Sequence, residues 1–243
     1  MKLNSNIIWV DSVESTNKFI KNLVVNSAIK NGTIIAAKEQ TKGVGQAKNK
    51  WLSNSNQNLT FSIYVEPQIK AIYQFYLSKI IALSIYEYIN IKITNVSIKW
   101  PNDIYVENKK ISGTLIENII QGEYITKTII GIGININQVV FDNSLLNPVS
   151  LKAITKKTYN LKNELLKLIS IINTNLELIN LFSIIDNKYN KLLYRLNNSC
   201  YFLDKNNNKF KGIIVGTATD GRIKIKTQNL IKRFGLNEIQ YIL

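Results

Sequence analysis

The sequence predicts an α+β fold: a mixed β-sheet with packed helices, followed by a small all-β unit. Strand-like and helix-like periodicities alternate up to residue 196, which is typical of a sheet covered by helices. From residue 197 onward only short strand-like runs remain, and turn-forming residues separate them. We therefore expect a larger domain over residues 1–196 and a small SH3-like β-barrel over residues 197–243.

In the larger domain the spacing of apolar residues assigns each element. The predicted strands cover residues 7–13, 33–38, 59–65, 97–100, 104–106, 111–120 and 124–136. The predicted helices cover residues 15–26, 71–90, 160–179 and 183–196. A polar, glycine-containing stretch over residues 41–58 lacks periodicity and predicts a long loop, and residues 107–110 predict a hairpin turn.

The barrel is predicted from five strand-like runs, over residues 199–203, 210–217, 222–226, 231–234 and 239–243. The clearest turn signals between them are residues 204–208 and the pair Asp220-Gly221. Cys200 lies in the first of these strands with no acid–base partner beside it in the sequence. We interpret it as a strand residue rather than a nucleophile.

Composition excludes several kinds of chemistry. The 243-residue chain is 45% hydrophobic and 19% charged, which indicates a globular protein. It contains no histidine, so catalytic triads, imidazole bases and histidine zinc sites are excluded. A single cysteine excludes a disulfide framework and a cysteine-rich zinc site.

The net charge of +15 first suggests an anionic partner. However, 28 of the 31 basic residues are Lys and only 3 are Arg, and the chain also has 41 Ile and 33 Asn. All three abundant residues have AT-rich codons, so genome composition explains much of the charge. Nucleic-acid sites favour Arg, so we do not expect DNA as a partner, whereas the charge suits docking to an acidic protein.

Nothing in the sequence predicts a membrane or secretory segment. The N-terminus lacks the apolar core of a signal peptide. The most apolar stretch, residues 71–89, is interrupted by Lys79 and Glu87 and is interpreted as a buried helix. We expect a cytoplasmic protein with no membrane partner.

The most informative motif is Lys99-Trp100-Pro101-Asn102-Asp103, followed by Lys110-Ile111-Ser112-Gly113. Two lysines suit a phosphate or a carboxylate, and a carboxylate such as Asp103 can hold Mg²⁺. Isolated Lys and Asp residues ordinarily belong to a solvated hairpin, but the run Trp-Pro-Asn-Asp is much less ordinary.

These motifs resemble the signature of the biotin–protein ligase family, K-W-P-N-D followed by K-x-x-G. Other landmarks follow in the family's order: Ser15-Thr16-Asn17, Gln40, Gly43, Gly45, Trp51, Asn58-Leu59 and Gly131-Ile132-Gly133-Ile134-Asn135. The resemblance implies a class II synthetase-like ligase fold with a C-terminal barrel. It also implies a form without an N-terminal DNA-binding domain, because residues 1–6 leave no room for one.

The resemblance implies a two-step activity. Biotin and Mg-ATP would give biotinyl-5′-AMP and pyrophosphate, and the biotinyl group would pass to a lysine of a biotin carboxyl carrier protein. The implied cofactors are ATP and Mg²⁺, with biotin as substrate. Two alternatives stay open: a lipoate–protein ligase, and a non-catalytic relic that binds biotin or its adenylate. The oligomeric state is also open, with a homodimer among the options.

The family's motifs imply the site residues position by position. Lys110, Asp103 and Lys99 are expected to be catalytic, with Lys110 bridging biotin and the α-phosphate and Asp103 holding Mg²⁺. The implied biotin-binding residues are Ser15, Thr16, Asn17, Gln40, Gly43, Val44, Gly45, Gln46, Lys110 and Gly113. The implied ATP or adenylate residues are Gln46, Trp51, Asn58, Lys99, Asn102 and Asn135.

Two points qualify these assignments. Without the resemblance, Ser15 and Thr16 would be interpreted as a helix N-cap and Trp51 as a core residue. The glycine loop also departs from the family, because Val44 stands where the family has its first arginine. Gln46 occupies the second position, where the family tolerates glutamine. Lys48 and Lys50 are expected to return part of the lost charge.

Overall fold

A computed structural model describes residues 2–3, 7–26, 28–46, 49–228 and 230–242. Within those ranges, none of the helices has both the length and the apolar character needed to cross a membrane. Residues 71–90, predicted as one buried helix, form a short 3-10 turn followed by a buried α-helix.

The larger sheet is mixed, as predicted. Its eight strands are β1 (Ile7–Val13), β2 (Ile34–Gln40), β3 (Leu59–Val65), β4 (Ile69–Lys70), β5 (Val96–Lys99), β6 (Asp103–Val106), β7 (Lys109–Gln121) and β8 (Tyr124–Ile134). The strand order is β1-β2-β3-β8-β7-β6-β5, with β4 pairing β8. Only the β1–β2 pair is parallel among these described strands. This order places the β5–β6–β7 meander at one side of the sheet, where β7 pairs with the central strand β8.

Helices cover both faces of this sheet. They are α1 (Thr16–Val25), α2 (Gln74–Asn90), α3 (Leu151–Thr155), α4 (Leu161–Leu176) and α5 (Phe182–Lys191). Helix α1 packs on β2, β3 and β8, where Ile20, Val24 and Ile35 form a small buried cluster. Helix α2 packs against β5, α4 and α5 on the main core. Every residue of β3 is therefore buried, because alternate side chains enter opposite cores.

The C-terminal strands form a second, five-stranded antiparallel sheet, which confirms the predicted barrel unit. They are β9 (Ser199–Asp204), β10 (Lys209–Thr217), β11 (Ile223–Lys226), β12 (Ile231–Phe234) and β13 (Ile239–Tyr241), in the order β12-β11-β10-β9-β13. Cys200 is a buried residue of β9. Residue 243, the end of the last predicted strand, lies outside the described residues.

The two sheets share one apolar core. Ile98 and Leu165 of the larger unit belong to the same buried cluster as Phe202 and Ile214 of the smaller one. The Trp100 indole Nε1 also donates a hydrogen bond to the Gly221 carbonyl, at 2.8 Å. Because the described strands nevertheless form two separate sheets, we propose the division into residues 1–196 and 197–243 on topology.

The structure corrects two predicted elements that bear on the site. The predicted turn over residues 107–110 is shorter, because Lys109 and Lys110 already belong to β7. The helix predicted to end at residue 196 ends at Lys191. The chain leaves this helix because Leu192 and Tyr194 form backbone hydrogen bonds with Ile98 of β5. Pairing with a distant strand overrides local helix propensity at this point.

The structure also adds an element that the sequence did not predict. Helix α3 has only five residues, too few for apolar periodicity to reveal it. Ser150 caps it by accepting a hydrogen bond from the Ala153 backbone N–H, at 3.1 Å. The helix follows directly on the segment that lies beside Lys110.

Candidate active site

Two neighbouring clefts gather most of the predicted site residues. Cleft A, of about 150 Å³, is lined by Ser15, Thr16, Asn17, Gln40, Val44, Gly45, Gln46, Trp51, Asn102, Asp103, Lys110 and Gly113, among others. Cleft B, of about 500 Å³, is lined by Trp51, Asp103, Lys110 and Asn135, together with Leu145 and Leu146. Trp51, Asp103 and Lys110 line both clefts and therefore lie at their boundary.

An ion pair lies at this boundary. Lys110 Nζ is 2.7 Å from Asp103 Oδ1, across the neighbouring strands β6 and β7. Both side chains are only partly exposed, 34% for Lys110 and 18% for Asp103. Gly113 leaves space for the pair, since a Cβ there would lie 3.1 Å from Lys110 Cε and 3.2 Å from Asp103 Oδ1. The arrangement places a cation where ligands in the two clefts would meet.

Tertiary contacts fix the backbone of Lys110. Its N–H donates to the Asn147 carbonyl at 2.8 Å, and its carbonyl accepts from the Val149 N–H at 2.9 Å. Asn135 lies at the end of β8. Its side-chain Nδ2 donates a hydrogen bond to the backbone carbonyl of Val149, at 3.1 Å. The segment before α3 thus holds Lys110 and Asn135 on one side of cleft B.

A polar network lines the inner end of cleft A, at the N-terminus of α1. Gln40 Oε1 accepts hydrogen bonds from the Thr16 backbone N–H at 2.8 Å and from Thr16 Oγ1 at 3.0 Å. Ser15 occupies the N-cap position, but its side chain makes no capping hydrogen bond. Because Gln40 takes over the capping, the buried Ser15 hydroxyl is left to face the cleft.

Two residues of this network were not predicted from the sequence. Ser62 Oγ lies 2.6 Å from both Thr16 Oγ1 and Asn17 Oδ1, and Asn17 Nδ2 donates to Glu117 Oε2 at 2.9 Å. Ser62 is a fully buried hydroxyl of β3. Its place between Phe61 and Ile63 in a strand-like run is a signal that sequence analysis could have used. The network presents both donors and acceptors, and this suits an uncharged polar ligand group.

Two glycines of β8 form the floor of cleft A. A Cβ on Gly131 would lie 2.3 Å from Asn17 Oδ1, and a Cβ on Gly133 would lie 2.3 Å from Trp51 Cε2. Larger residues at these positions would therefore displace the side chains above them. The sequence motif identified these two glycines. It did not reveal that they lie directly beneath Asn17 and Trp51.

The glycine loop folds back as a short hairpin above the clefts. Gly45 N–H donates to the Asn49 carbonyl at 2.7 Å, and Trp51 N–H donates to the Gly43 carbonyl at 3.0 Å. Between these bonds Val44 and Lys50 face each other as an isolated antiparallel bridge. Lys48, expected to supply charge here, lies outside the described residues.

Trp51 ends this hairpin with its ring above Gly133. Its buried Nε1 finds no hydrogen-bond partner among the described residues. A buried unpaired donor costs free energy, and the Trp51 side chain lines both clefts. Trp51 is thus a lining residue rather than a side chain enclosed in the core.

Three of the predicted site residues are absent from the lining of both clefts, as far as the described residues show: Lys99, Asn58 and Gly43. Lys99 Nζ instead contacts the Tyr105 hydroxyl at 2.9 Å and lies 5.1 Å from the centre of the Tyr241 ring. Burial lowers the pKa of Lys99, and the nearby Asp103 carboxylate offsets part of that shift. The apolar periodicity predicted strand β5. It could not show that the Lys99 amine lies between the rings of Tyr105 and Tyr241.

Asn58 and Gly43 also do not line either cleft, and each contacts neighbouring residues of the fold instead. Asn58 Nδ2 donates to Gln138 Oε1 at 2.6 Å, and its Oδ1 accepts from the Ile136 N–H at 2.9 Å. A Cβ on Gly43 would lie 2.4 Å from the Trp51 carbonyl oxygen. Asn102, predicted at the nucleotide, lines cleft A and bonds through Nδ2 to the Thr114 carbonyl. Their ligand-binding roles stay predictions.

The match to a family profile identifies the class of protein. The model of the biotin/lipoate A/B protein ligase family matches residues 9–135, more than half of the sequence. The chain therefore belongs to the biotin/lipoate A/B protein ligase family.

Individual relatives confirm the resemblance to biotin–protein ligases. The chain is 32% identical over 137 residues to the bifunctional ligase/repressor BirA of Bacillus subtilis, covering 56% of this chain and 42% of that relative. It is 29% identical over 105 residues to the biotin--[acetyl-CoA-carboxylase] ligase of Paracoccus denitrificans, 42% of this chain and 43% of that one. The matched regions thus span less than half the length of these curated relatives.

A solved structure resembles the chain along nearly its whole length. The biotin protein ligase from Aquifex aeolicus in complex with biotin and ATP is 31% identical, with a TM-score of 0.81. The similarity covers 98% of this chain and 99% of that one. Both the larger sheet and the C-terminal sheet lie within that range.

Proposed function

We propose that the chain is an ATP-dependent biotin–protein ligase, which forms biotinyl-5′-AMP and transfers the biotinyl group to a lysine of a biotin carboxyl carrier protein. The observation that carries the proposal is the Lys110–Asp103 pair at the boundary of two clefts of different character. A reaction between two anionic substrates needs a cation at the place where they meet.

Cleft A suits biotin. The ureido ring is uncharged and carries one carbonyl and two N–H groups, which match the mixed donors and acceptors around Ser15, Thr16 and Asn17. With the ring at this inner end, the carboxylate of biotin would extend toward Lys110. Leu115 and Ile132 add apolar residues to the lining of the same cleft.

Cleft B suits the nucleotide. It is larger, and Leu145, Leu146 and Trp51 offer apolar surface for the adenine ring. Asn135 supplies an amide on the same side. The phosphates would then lie toward Lys110, where the two clefts join.

In the first step, a carboxylate oxygen of biotin attacks the α-phosphorus of ATP. A new P–O bond forms, the bond to the β-phosphate oxygen breaks, and pyrophosphate leaves. Lys110 neutralises the repulsion between the carboxylate and the phosphate, and Asp103 holds the Lys110 amine in position.

In the second step, the neutral amine of the carrier lysine attacks the biotinyl carbonyl carbon. The C–N bond forms as the bond to the phosphate oxygen breaks, and AMP leaves. The amine must lose one proton, and Asp103 is the carboxylate that lines both clefts and can accept it.

Mg²⁺ is part of this proposal, and Asp103 would hold it. The described residues form no cluster of three or more metal-ligating side chains. A single carboxylate still fits, because Mg²⁺ usually takes one or two carboxylates and completes its shell with substrate phosphates and water. Asp103 Oδ1 contacts Lys110, which leaves Oδ2 for the metal. When bound, Mg²⁺ supplies charge neutralisation for the phosphates.

The partner and the compartment belong to the same proposal. The net charge of +15 suits an acidic carrier domain, and we propose that the protein acts in the cytoplasm without DNA or membrane partners. Sedimentation analysis of the purified protein distinguishes a monomer from a homodimer.

Exchange of labelled pyrophosphate into ATP tests the proposal. We expect exchange that depends on biotin and not on lipoate, followed by labelling of one lysine on a purified carrier domain. Exchange driven by lipoate would identify a lipoate ligase instead. Binding of biotin without any exchange would identify a non-catalytic relic.

A further inference from the structure

The side-chain amide of Asn17 lies in the polar network at the inner end of cleft A, and two acceptors fix its orientation. Its Nδ2 donates to Glu117 Oε2 at 2.9 Å and to the Leu115 carbonyl at 3.4 Å. A carboxylate and a backbone carbonyl accept hydrogen bonds and do not donate them. The amide nitrogen must therefore face Glu117 and Leu115, which turns Oδ1 to the opposite side.

Asn17 Oδ1 lies at the floor of cleft A. The position that a Cβ on Gly131 would occupy is 2.3 Å from this oxygen, and both Asn17 and Gly131 line the cleft. Ser62 Oγ also donates to Oδ1, at 2.6 Å. A carbonyl oxygen has two lone pairs, so Oδ1 can accept one further hydrogen bond from a ligand in the cleft.

The hydrogen-bond donors around Asn17 are used within the protein. The Thr16 hydroxyl donates to Gln40 Oε1 at 3.0 Å. The single hydrogen of Ser62 Oγ serves Thr16 Oγ1 and Asn17 Oδ1, both at 2.6 Å. The N–H bonds of the Asn17 amide have their partners on the other side. This corner of the cleft thus offers two acceptors, Thr16 Oγ1 and Asn17 Oδ1, to a ligand that carries N–H groups.

Glu117 acts on this corner from outside the cleft. It does not belong to the described lining of cleft A or cleft B, and its side chain is 41% exposed. Its Oε1 lies 3.9 Å from Lys21 Nζ, while Oε2 accepts the hydrogen bond from Asn17. The effect of Glu117 on a ligand in the cleft therefore passes through Asn17.

We propose that Glu117 is a positioning residue for the recognition of a cyclic urea. It holds the Asn17 amide with its oxygen toward the cleft, which makes the inner end of cleft A an acceptor for ligand N–H groups. The inference rests on the proposed function for the identity of the ligand, biotin. It adds a specificity element outside the cleft, because a ring with an oxygen in place of the N–H would meet a fixed acceptor.

Removal of the Glu117 carboxylate would release the amide. With only the longer contact to Leu115 left, the Asn17 side chain can turn and place Nδ2 in the cleft. The corner then offers a donor where the ureido N–H needs an acceptor, and biotin binds less tightly. Glutamine at position 117 keeps a carbonyl oxygen that can accept from Nδ2, so Glu117→Gln is the conservative variant that should preserve the orientation.

Titration calorimetry of biotin on the full chain tests the proposal without relying on catalysis. We expect Glu117→Leu and Glu117→Ala to weaken biotin binding about tenfold, the loss typical of one hydrogen bond to a charged group. Glu117→Gln should bind biotin within about threefold of wild type. Lys21→Gln removes the charge beside Glu117 Oε1 but leaves the contact with Asn17, so it should bind biotin as wild type does.

A second ligand separates positioning from a general structural role. The probes are the two cyclic carbamate analogues of biotin, in which one or the other ring N–H is replaced by oxygen. Wild type should prefer biotin to at least one of them, and Glu117→Leu should shrink that preference about fivefold or more. A loss of packing alone would weaken all three ligands by the same factor. In an Asn17→Ala background, Glu117→Leu should cause no further loss.

Several results would overturn the inference. They are unchanged biotin binding by both Glu117→Leu and Glu117→Ala, equal losses for biotin and both carbamates, and a loss in Glu117→Leu that persists when Asn17 is replaced by alanine. A wild-type chain that binds no biotin overturns it together with the proposed function. Normal pyrophosphate exchange, with biotin binding that does not depend on Glu117, overturns the inference alone. Binding that depends on Glu117, without any exchange, supports the inference and contradicts the proposed catalysis.

Discussion

Gly133 and Trp51 are in direct contact: a Cβ on this glycine would lie 2.3 Å from Cε2 of the indole. The ring therefore rests on the backbone of β8 and closes the floor of the site under the glycine hairpin. This contact joins a central strand to a loop that is far from it in sequence, and it makes the position of Trp51 sensitive to one methyl group.

The contact predicts the effect of Gly133→Ala. The added methyl group must displace the ring, and overpacking of this kind costs about 1–3 kcal/mol. We expect kcat/KM for pyrophosphate exchange to fall about tenfold or more. Gly235→Ala is the control, because a Cβ there meets nothing closer than 3.4 Å. Equal activity of the two variants would show that Trp51 does not need this support.

Lys110→Ala should nearly abolish adenylate formation. The loss of a positioned electrostatic contact at the reacting groups typically costs about 3–4 kcal/mol, so exchange should fall a few hundredfold. The fold should persist, because both members of the ion pair are partly exposed. The matched control is Lys109→Ala, at the neighbouring exposed lysine. Near-normal exchange by Lys110→Ala would remove Lys110 from the mechanism.

Ser62→Ala should weaken biotin binding specifically. The change leaves the buried Asn17 Oδ1 without its partner, which costs about 1–3 kcal/mol, while Thr16 Oγ1 keeps its hydrogen bond to Gln40. We expect the KM for biotin to rise about tenfold while the KM for ATP stays constant. Ser84→Ala removes an equally buried hydroxyl outside both clefts and should leave both constants unchanged. A parallel rise in both KM values for Ser62→Ala would argue against a biotin subsite.

Val44→Arg should improve retention of biotinyl-AMP. Valine offers no side-chain donor to the phosphate, and a charge-assisted hydrogen bond is worth about 1.5–3 kcal/mol. Release of labelled adenylate should slow roughly tenfold to a hundredfold, and labelling of an unrelated protein should fall with it. If neither changes, the hairpin retains the adenylate fully through other contacts.

The contacts of Glu164 predict that the stability of the fold depends on pH. Burial would raise the pKa of Glu164, but hydrogen bonds from Lys167, Lys92 and Tyr88 outweigh burial and hold the pKa below its ordinary value of 4.5. A depressed carboxyl pKa stabilises the fold above pH 4.5, and this contribution disappears as the pH falls through the native pKa. At pH 7 Glu164→Gln should be about 2 kcal/mol less stable than wild type.

Thermal unfolding between pH 7 and pH 3 measures this effect. The difference in Tm between wild type and Glu164→Gln should be largest at pH 7 and should close as the pH approaches 3. Glu123→Gln, at an exposed turn residue, should follow wild type throughout. A constant Tm difference across the whole range would show that the Glu164 charge is not the source of the stability.

Much of the fold follows from local patterns in the sequence. The bounds of β1, β3 and β12 were predicted to the residue, because alternating or continuous apolar runs end there at turn-forming residues. Other boundaries moved where distant segments pair, as at residues 192–194, which leave α5 to bond with Ile98. A single sequence contains no record of such pairing partners.

The sequence by itself determined the order of the motifs and the two-part architecture, because these depend on residue identity and local periodicity. Most residues of cleft A were implied by the resemblance of those motifs to the biotin–protein ligase family. Only the tertiary structure decided that Ser62 joins Thr16 and Asn17, that Lys99 lies against Tyr105, and that Lys50 faces Val44. The physical reason is that periodicity sets which face of an element a side chain occupies. Strand register and the packing between elements set which residues it meets there.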